Sequence, residues 1–135
     1  MVETQIEEEM YEVACKFLLE RFKNEEGGVG VVRVEDGTLY TSVWNETNNS
    51  CVDLCAETGA ILEAHKYNKK ITHCLCVVKE ENSNNIKILS PCGVCQERLW
   101  FFGGDVKCAI GNKENKIIFK KLKEIQPYYW KLNKD

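Results

Sequence analysis

The sequence predicts an α/β fold, a mixed five-stranded sheet layered between helices. Three observations carry this expectation. The chain opens on helical periodicity, a hairpin of apolar strands follows, and from the middle onward strands are separated by helices. At 135 residues the chain is long enough for one proper core and too short for two, so residues 1–135 are read as a single domain.

The elements follow in order. Residues 3–23 carry Ile6, Met10, Val13, Phe17 and Leu18 at the spacing of one helical face. "VGVVRV" reads as a strand, "EDG" as a turn and "TLYTSVW" as a second strand, together a hairpin. The polar run "NETNNS" is a loop, and a helix is expected from about Leu54 to Tyr67. "ITHCLCVV" is a buried strand bounded by the polar loop "KEENSNN". A further helix starts near Cys92 and stops at Gly103-Gly104, since glycine tolerates the left-handed backbone that ends helices. "VKCAI" and "KIIFK" make two strands around the turn "GNKEN", and a short helix from Lys121 leads into the aromatic tail "PYYW".

Composition narrows the function classes. Apolar residues make up 44% and charged residues 29%, as in an ordinary globular protein. No run approaches the ~18 apolar residues of a membrane span. The start, "MVETQIEEEM", is acidic and has no signal-peptide core, which predicts a cytoplasmic protein. A net charge of −3 argues against a nucleic-acid surface, so neither nucleic acid nor membrane is an expected partner.

Eight cysteines are many for a cytosolic chain, where disulfides are rare; metal binding and burial remain to explain them. Cys92 and Cys95 stand three apart after Pro91. A redox dithiol would work alone, a structural zinc site would need four protein ligands, and a catalytic one needs three. No second CxxC exists, but "LCAETGA" places Cys55 and Glu57 at another expected helix start. Side chains lean toward a helix N-terminus, so both could approach one point beyond the first turn. The positive ends of two helix dipoles would then stabilise a cluster of thiolates.

Three sulfur ligands, Cys55, Cys92 and Cys95, would leave a fourth position open with Glu57 beside it. Metal-assisted hydrolysis is the chemistry this fits, with Glu57 as a proton shuttle. The pair is thereby neither a redox nor a structural motif. Cys15, Cys74, Cys76 and Cys108 lie in apolar patterns and are expected as small core residues. Cys51 could close the site as a fourth ligand, but its polar loop speaks against it. His65 and His73 have no partner at ligand spacing and are read as structural.

Cys55-Ala56-Glu57 with Pro91-Cys92-Gly93-Val94-Cys95 resembles the zinc deaminase signature in its three-cysteine form. The chain is similar to the small cytidine deaminase family, blasticidin-S deaminases included, from about Val29 to Phe119. The resemblance implies a cytidine-deaminase-like three-layer sandwich, one zinc ion per subunit and hydrolytic deamination of a free cytosine nucleoside. Glu57 would protonate N3 of the ring and then the departing amine. It also implies a homotetramer, with backbone near Ala56 and Ser90 holding the pyrimidine.

Three departures stand out. Family members acting on cytidine carry Asn-x-Glu for the ribose, where this chain has Trp44-Asn45-Glu46: Glu46 matches the glutamate and Trp44 replaces the asparagine. The usual aromatic before the first strand gives way to "EEGG". Thr58 stands where an arginine often follows "CAE", and Arg98 is a candidate substitute. The alternatives to plain cytidine are another aminopyrimidine nucleoside, such as blasticidin S or a modified cytosine, and a catalytically inactive zinc-stabilised module closed by Cys51.

Overall fold

The computed structural model describes residues 1–132. Helix α1 spans Glu3–Arg21 and is followed by strands β1, Gly27–Val34, and β2, Leu39–Val43. Helix α2 covers Thr58–Lys66, strand β3 Ile71–Lys79, strand β4 Lys87–Leu89 and helix α3 Gly93–Trp100. Strands β5, Lys107–Ala109, and β6, Phe119–Lys121, precede the short helix α4, Leu122–Ile125. The sheet runs β2-β1-β3-β5-β6, with β4 pairing to β3 beyond β5. It is mixed, because β3 and β5 are parallel while every other pair is antiparallel.

All five expected strands form, and β4 is an addition. Only three residues long, it shows one buried side chain, Ile88, between two exposed ones, a pattern too short to read as alternation. Alternation elsewhere sorts the core into two halves. Val29, Val31, Leu75 and Val77 face α1, which buries Ile6, Met10, Ala14 and Leu18. Phe17, expected on that face, is exposed, because the buried stripe advances by four residues through Ala14 instead. Val32, Val34 and Cys74 face the other way, toward Ala60, Ile61 and Ala64 of α2 and Leu99 of α3. Helices on both faces of the sheet make the three layers.

Two boundaries differ from the sequence reading. Leu54 does not begin a helix; it exchanges two backbone bonds with Asn45 (3.0 and 3.1 Å), and α2 starts only at Thr58. This isolated bridge draws the chain in extended, so Cys55 and Ala56 precede the helix rather than opening it. Helix α3 ends at Trp100, slightly before the expected glycines. Gly103, at φ +103°, still supplies the left-handed residue, with its N–H on the Trp100 carbonyl.

Candidate metal centre and active site

The site grows from two paired rows of residues on the α2/α3 face of the sheet. Registration places Ser42, Gly30, Cys76 and Leu89 side by side across β2, β1, β3 and β4. Two residues along, Gly28, Val78 and Lys87 form the next row on the same face. With ~3.4 Å per strand residue, the rows are roughly 7 Å apart.

The first row carries the segment Cys55-Ala56-Glu57. A β-carbon on Gly30 would stand 2.6 Å from the Glu57 Cα and 2.7 Å from the Ala56 carbonyl oxygen, so only glycine admits this backbone onto the strand. Ser42 then clips the segment in place. Its hydroxyl donates to the Ala56 carbonyl (2.5 Å) and accepts the Ala60 N–H (2.9 Å). Farther out, the Thr47 N–H and hydroxyl both donate to Asp53, tying the preceding loop across its neck.

From the other side, α3 delivers the CxxC pair. Cys92 is the N-cap residue and Cys95 sits in the first turn. The loop before it is held by Gln96, whose amide donates to the Pro91 carbonyl (2.9 Å), and by Ser90, whose hydroxyl accepts the Gly111 N–H (2.9 Å). The sulfurs of Cys55, Cys92 and Cys95 all lie within 4.8 Å of one another, and those of Cys55 and Cys92 are 3.4 Å apart. Sulfurs bound to one tetrahedral zinc at ~2.3 Å would be roughly 3.8 Å apart, so the three residues fit a zinc ion.

Electrostatics support the same reading. Burial raises the thiol pKa of Cys55 and, much further, that of Cys95, and the neighbouring Cys92 sulfur and Glu57 carboxylate push both in the same direction. Cys92 is lowered: burial opposes ionisation, but backbone N–H groups of Cys95 and Val94 point at its sulfur and outweigh it. Three packed thiols of which two resist ionisation are an arrangement a dication relieves, since metal binding deprotonates its thiol ligands. Both α2 and α3 aim their N-terminal ends at the cluster.

Glu57 is 4% exposed, and burial raises its carboxyl pKa above the usual range. The Cys76 thiol donates to it, and the positive charge of Arg98 pulls in the opposite direction to burial. Arg98 is anchored by a 2.9 Å bond from its guanidinium to the Thr58 hydroxyl. The two residues singled out at the departure from the family pattern thus contact each other beside the site.

Sequence reasoning brought together Cys55, Glu57, Cys92 and Cys95, and the structure does the same. Cys51 is exposed in a short 3₁₀ turn and is not among the clustered sulfurs of the described residues. Trp44 lies over the second row: a β-carbon on Gly28 would meet its ring at 3.1 Å. Glu46 is exposed beyond it, and Ser90 is exposed just before Pro91. Missed from the sequence were Gly30, Ser42 and the Cys76–Glu57 contact. An isolated glycine inside "VGVV" was the available signal, because it marks close backbone approach in a strand. Cys76 is buried as expected, yet its thiol also serves the site. The tail packs on its own chain, Tyr129 stacking on Trp100 at 4.1 Å and the Trp130 N–H reaching Glu97 at 2.6 Å.

Three sulfurs around one point with a buried carboxylate beside them define a zinc-hydrolase type of site on an α/β sandwich. Residues 4–119 match the family model described as "Cytidine and deoxycytidylate deaminase zinc-binding region". The chain belongs to the cytidine and deoxycytidylate deaminase family. It is similar to the crystal structure of a cytidine deaminase from Bacillus anthracis, with 52% identity and a TM-score of 0.90 over 93% of this chain and 90% of that one. A Blasticidin-S deaminase from Bacillus cereus is 25% identical over 130 residues, 93% of this chain and 92% of the relative. The crystal structure of a cytidine deaminase from Mycobacterium leprae shares the fold at 20% identity, with a TM-score of 0.66 over 87% of this chain and 97% of that chain.

Proposed function

We propose that the protein is a zinc-dependent hydrolase of free cytosine nucleosides, converting cytidine or deoxycytidine and water into the uracil nucleoside and ammonia. The observation that carries it is the buried Glu57 carboxyl placed against a three-cysteine cluster. Cys55, Cys92 and Cys95 would hold the ion. When bound, zinc supplies a Lewis acid that makes water a nucleophile near neutral pH.

The chain's own groups account for the proton traffic. Glu57 would take a proton from the water that adds at C4 and deliver it to N3, then take the second proton from the hydroxyl now on C4 and pass it to the departing amine, which leaves as ammonia. A carboxyl that burial inclines to stay protonated suits both halves of this shuttle. Backbone at Ala56 and Ser90 would orient the ring, with Ser42 holding Ala56 still. Glu46 and Trp44 would meet the sugar.

Ammonia release from cytidine and deoxycytidine by zinc-loaded protein tests this, with Glu57→Gln as control. Turnover in the native protein, abolished in the variant while zinc is retained, is the expected result. A variant equal to the native protein would instead indicate an inactive zinc module. A second reading, action on blasticidin S or a modified cytosine, is favoured by Trp44 in the sugar region and by the Bacillus cereus relative. Including those compounds in the same assay separates the two.

We extend the proposal to a single-domain cytoplasmic homotetramer. Exposed Leu62, Val94 and Phe101 are apolar surface available to neighbouring subunits. No helix among the described residues is long and apolar enough to cross a membrane. A monomeric mass by light scattering would remove the tetramer.

A further inference from the structure

Gly30 has a neighbour on either side of it in the first row, and each holds a different part of the segment that carries Glu57. Ser42 on β2 fixes backbone, through the Ala56 carbonyl and the Ala60 N–H. Cys76 on β3 pairs with Gly30 from the opposite side, and its side chain stands on the same sheet face. A β-carbon on Gly30 would be 2.6 Å from the Glu57 Cα, so Glu57 lies over Gly30, within about one strand spacing (~4.8 Å) of Cys76. Cys76 is buried, as Glu57 is. Yet among the described residues it packs in neither apolar half of the core, whereas Cys74 and Cys108 belong to the α2/α3 half. Its thiol donates to the Glu57 carboxyl, which also receives its own backbone N–H and the Cys95 thiol.

Resting on the nucleoside-deaminase reading, we infer that Cys76 is a positioning residue for the proton shuttle, its thiol fixing the rotation of the Glu57 carboxyl from the sheet side. The terminal torsion of a glutamate is broad and has no sharp rotamer of its own, so a contact must limit it. Proton transfer loses rate steeply when donor and acceptor drift from alignment. A thiol at this place can supply that contact throughout the reaction. Burial holds Cys76 well above the ordinary cysteine range, so it stays protonated and remains a donor. Cys95 cannot stand in for it once zinc is bound, because a sulfur that ligates a metal gives up its proton. Cys76 is not among the three clustered sulfurs, so its loss should leave the ligand set intact. Ser42 and Cys76 thus divide the work around Gly30: one holds the backbone of the segment, the other the acid at its end.

The test compares Cys76→Ser, which keeps a donor, with Cys76→Val, which fills the space without one. Steady-state kinetics on cytidine and deoxycytidine, zinc content and thermal unfolding are measured for both variants and the native protein, all zinc-loaded. Cys76→Val should lower kcat about tenfold or more, with KM within about twofold of native and zinc content unchanged. Cys76→Ser should keep kcat within about threefold of native, even where the buried hydroxyl lowers the unfolding midpoint. A mere packing role predicts the reverse order, with turnover preserved in Cys76→Val and lost in Cys76→Ser. That order, equal kcat in all three proteins, equal loss in both variants, or zinc lost in step with kcat overturns the inference. An infrared measurement reads the contact without turnover. The S–H stretching band of Cys76, identified as the band lost in Cys76→Val, should move to higher frequency in Glu57→Leu. A band that stays in place overturns the inference as well. Zinc-loaded native protein inert on both nucleosides would overturn the underlying functional reading, and the infrared band would still decide whether Cys76 holds Glu57.

Discussion

The Glu57 row and the Trp44 row lie side by side on one sheet face, yet they are held to different standards. Around Glu57 the backbone is pinned by Ser42, admitted by Gly30, contacted by Cys76 and flanked by the Arg98–Thr58 pair. Trp44 is held by its backbone N–H on the Gly28 carbonyl, by its ring against Gly28 and by packing on the edge of the core, and the cleft beside it is open. The difference is physical. Proton transfer needs atoms placed within a fraction of an ångström, whereas an apolar face tolerates sliding of its ligand.

The sharpest way to break this contrast is to add one methyl group to each row. Gly30→Ala drives a β-carbon into backbone at 2.6 Å, where nothing can rotate away. We expect kcat to fall on the order of a hundredfold, and stability to drop by about 1–3 kcal/mol, read by kinetics and denaturant unfolding. Arg98→Met comes next. It removes the cation that the Thr58 hydroxyl holds near Glu57, and should cost roughly 10–100-fold in zinc affinity or activity, measured by chelator competition and turnover. Equal zinc retention and equal turnover would show that the helix ends alone balance the site.

Gly28→Ala is the counterpart in the second row. Its β-carbon meets an indole ring at 3.1 Å rather than backbone, so the ring shifts by a few tenths of an ångström. KM should rise about threefold with kcat unchanged, a far smaller effect than at Gly30. If the two glycine variants behaved alike, the distinction between a rigid centre and a tolerant subsite would fail.

The smallest expected effect lies on the α1 face, away from both rows. Burial lowers the His73 pKa, in competition with Glu3 at 2.6 Å, and Lys107 and Arg33 nearby lower it further. Burial works to raise Glu3, but its bonds with His73 and Lys107 bring it below its usual value. A depressed pKa stabilises the fold above the unfolded value and loses that contribution as pH falls through the folded one. The thermal midpoint should therefore decline between about pH 6.5 and 4, and His73→Gln should flatten the upper part of that decline. Turnover per folded molecule at neutral pH should be unaffected by the variant.

Legibility in the sequence followed the range of the interaction. "CAE" and "SPCGVC" singled out three thiols and a carboxylate that the fold does bring together, because short local motifs carry that grouping. The order of periodic segments likewise announced layers of helix and sheet. Leu54 was misjudged because its bridge to Asn45 is a pairing across a loop, which no local propensity encodes. Strand β4 was missed because three residues are too few to show a period; pairing with β3 makes it a strand.

By itself, then, the sequence singled out Cys55, Cys92 and Cys95 with Glu57 as one group and set the layered architecture, since each rests on residue identity and short-range spacing. Only the tertiary structure decided that Gly30 lies beneath Glu57, that Arg98 meets Thr58, and that Gly28 and Trp44 form one unit. Those contacts depend on strand register and on helices crossing a shared sheet face. Register is a property of paired strands, and a shift of one residue would have turned Ser42 and Cys76 to the opposite face and moved Gly28 and Gly30 out from under Trp44 and Glu57.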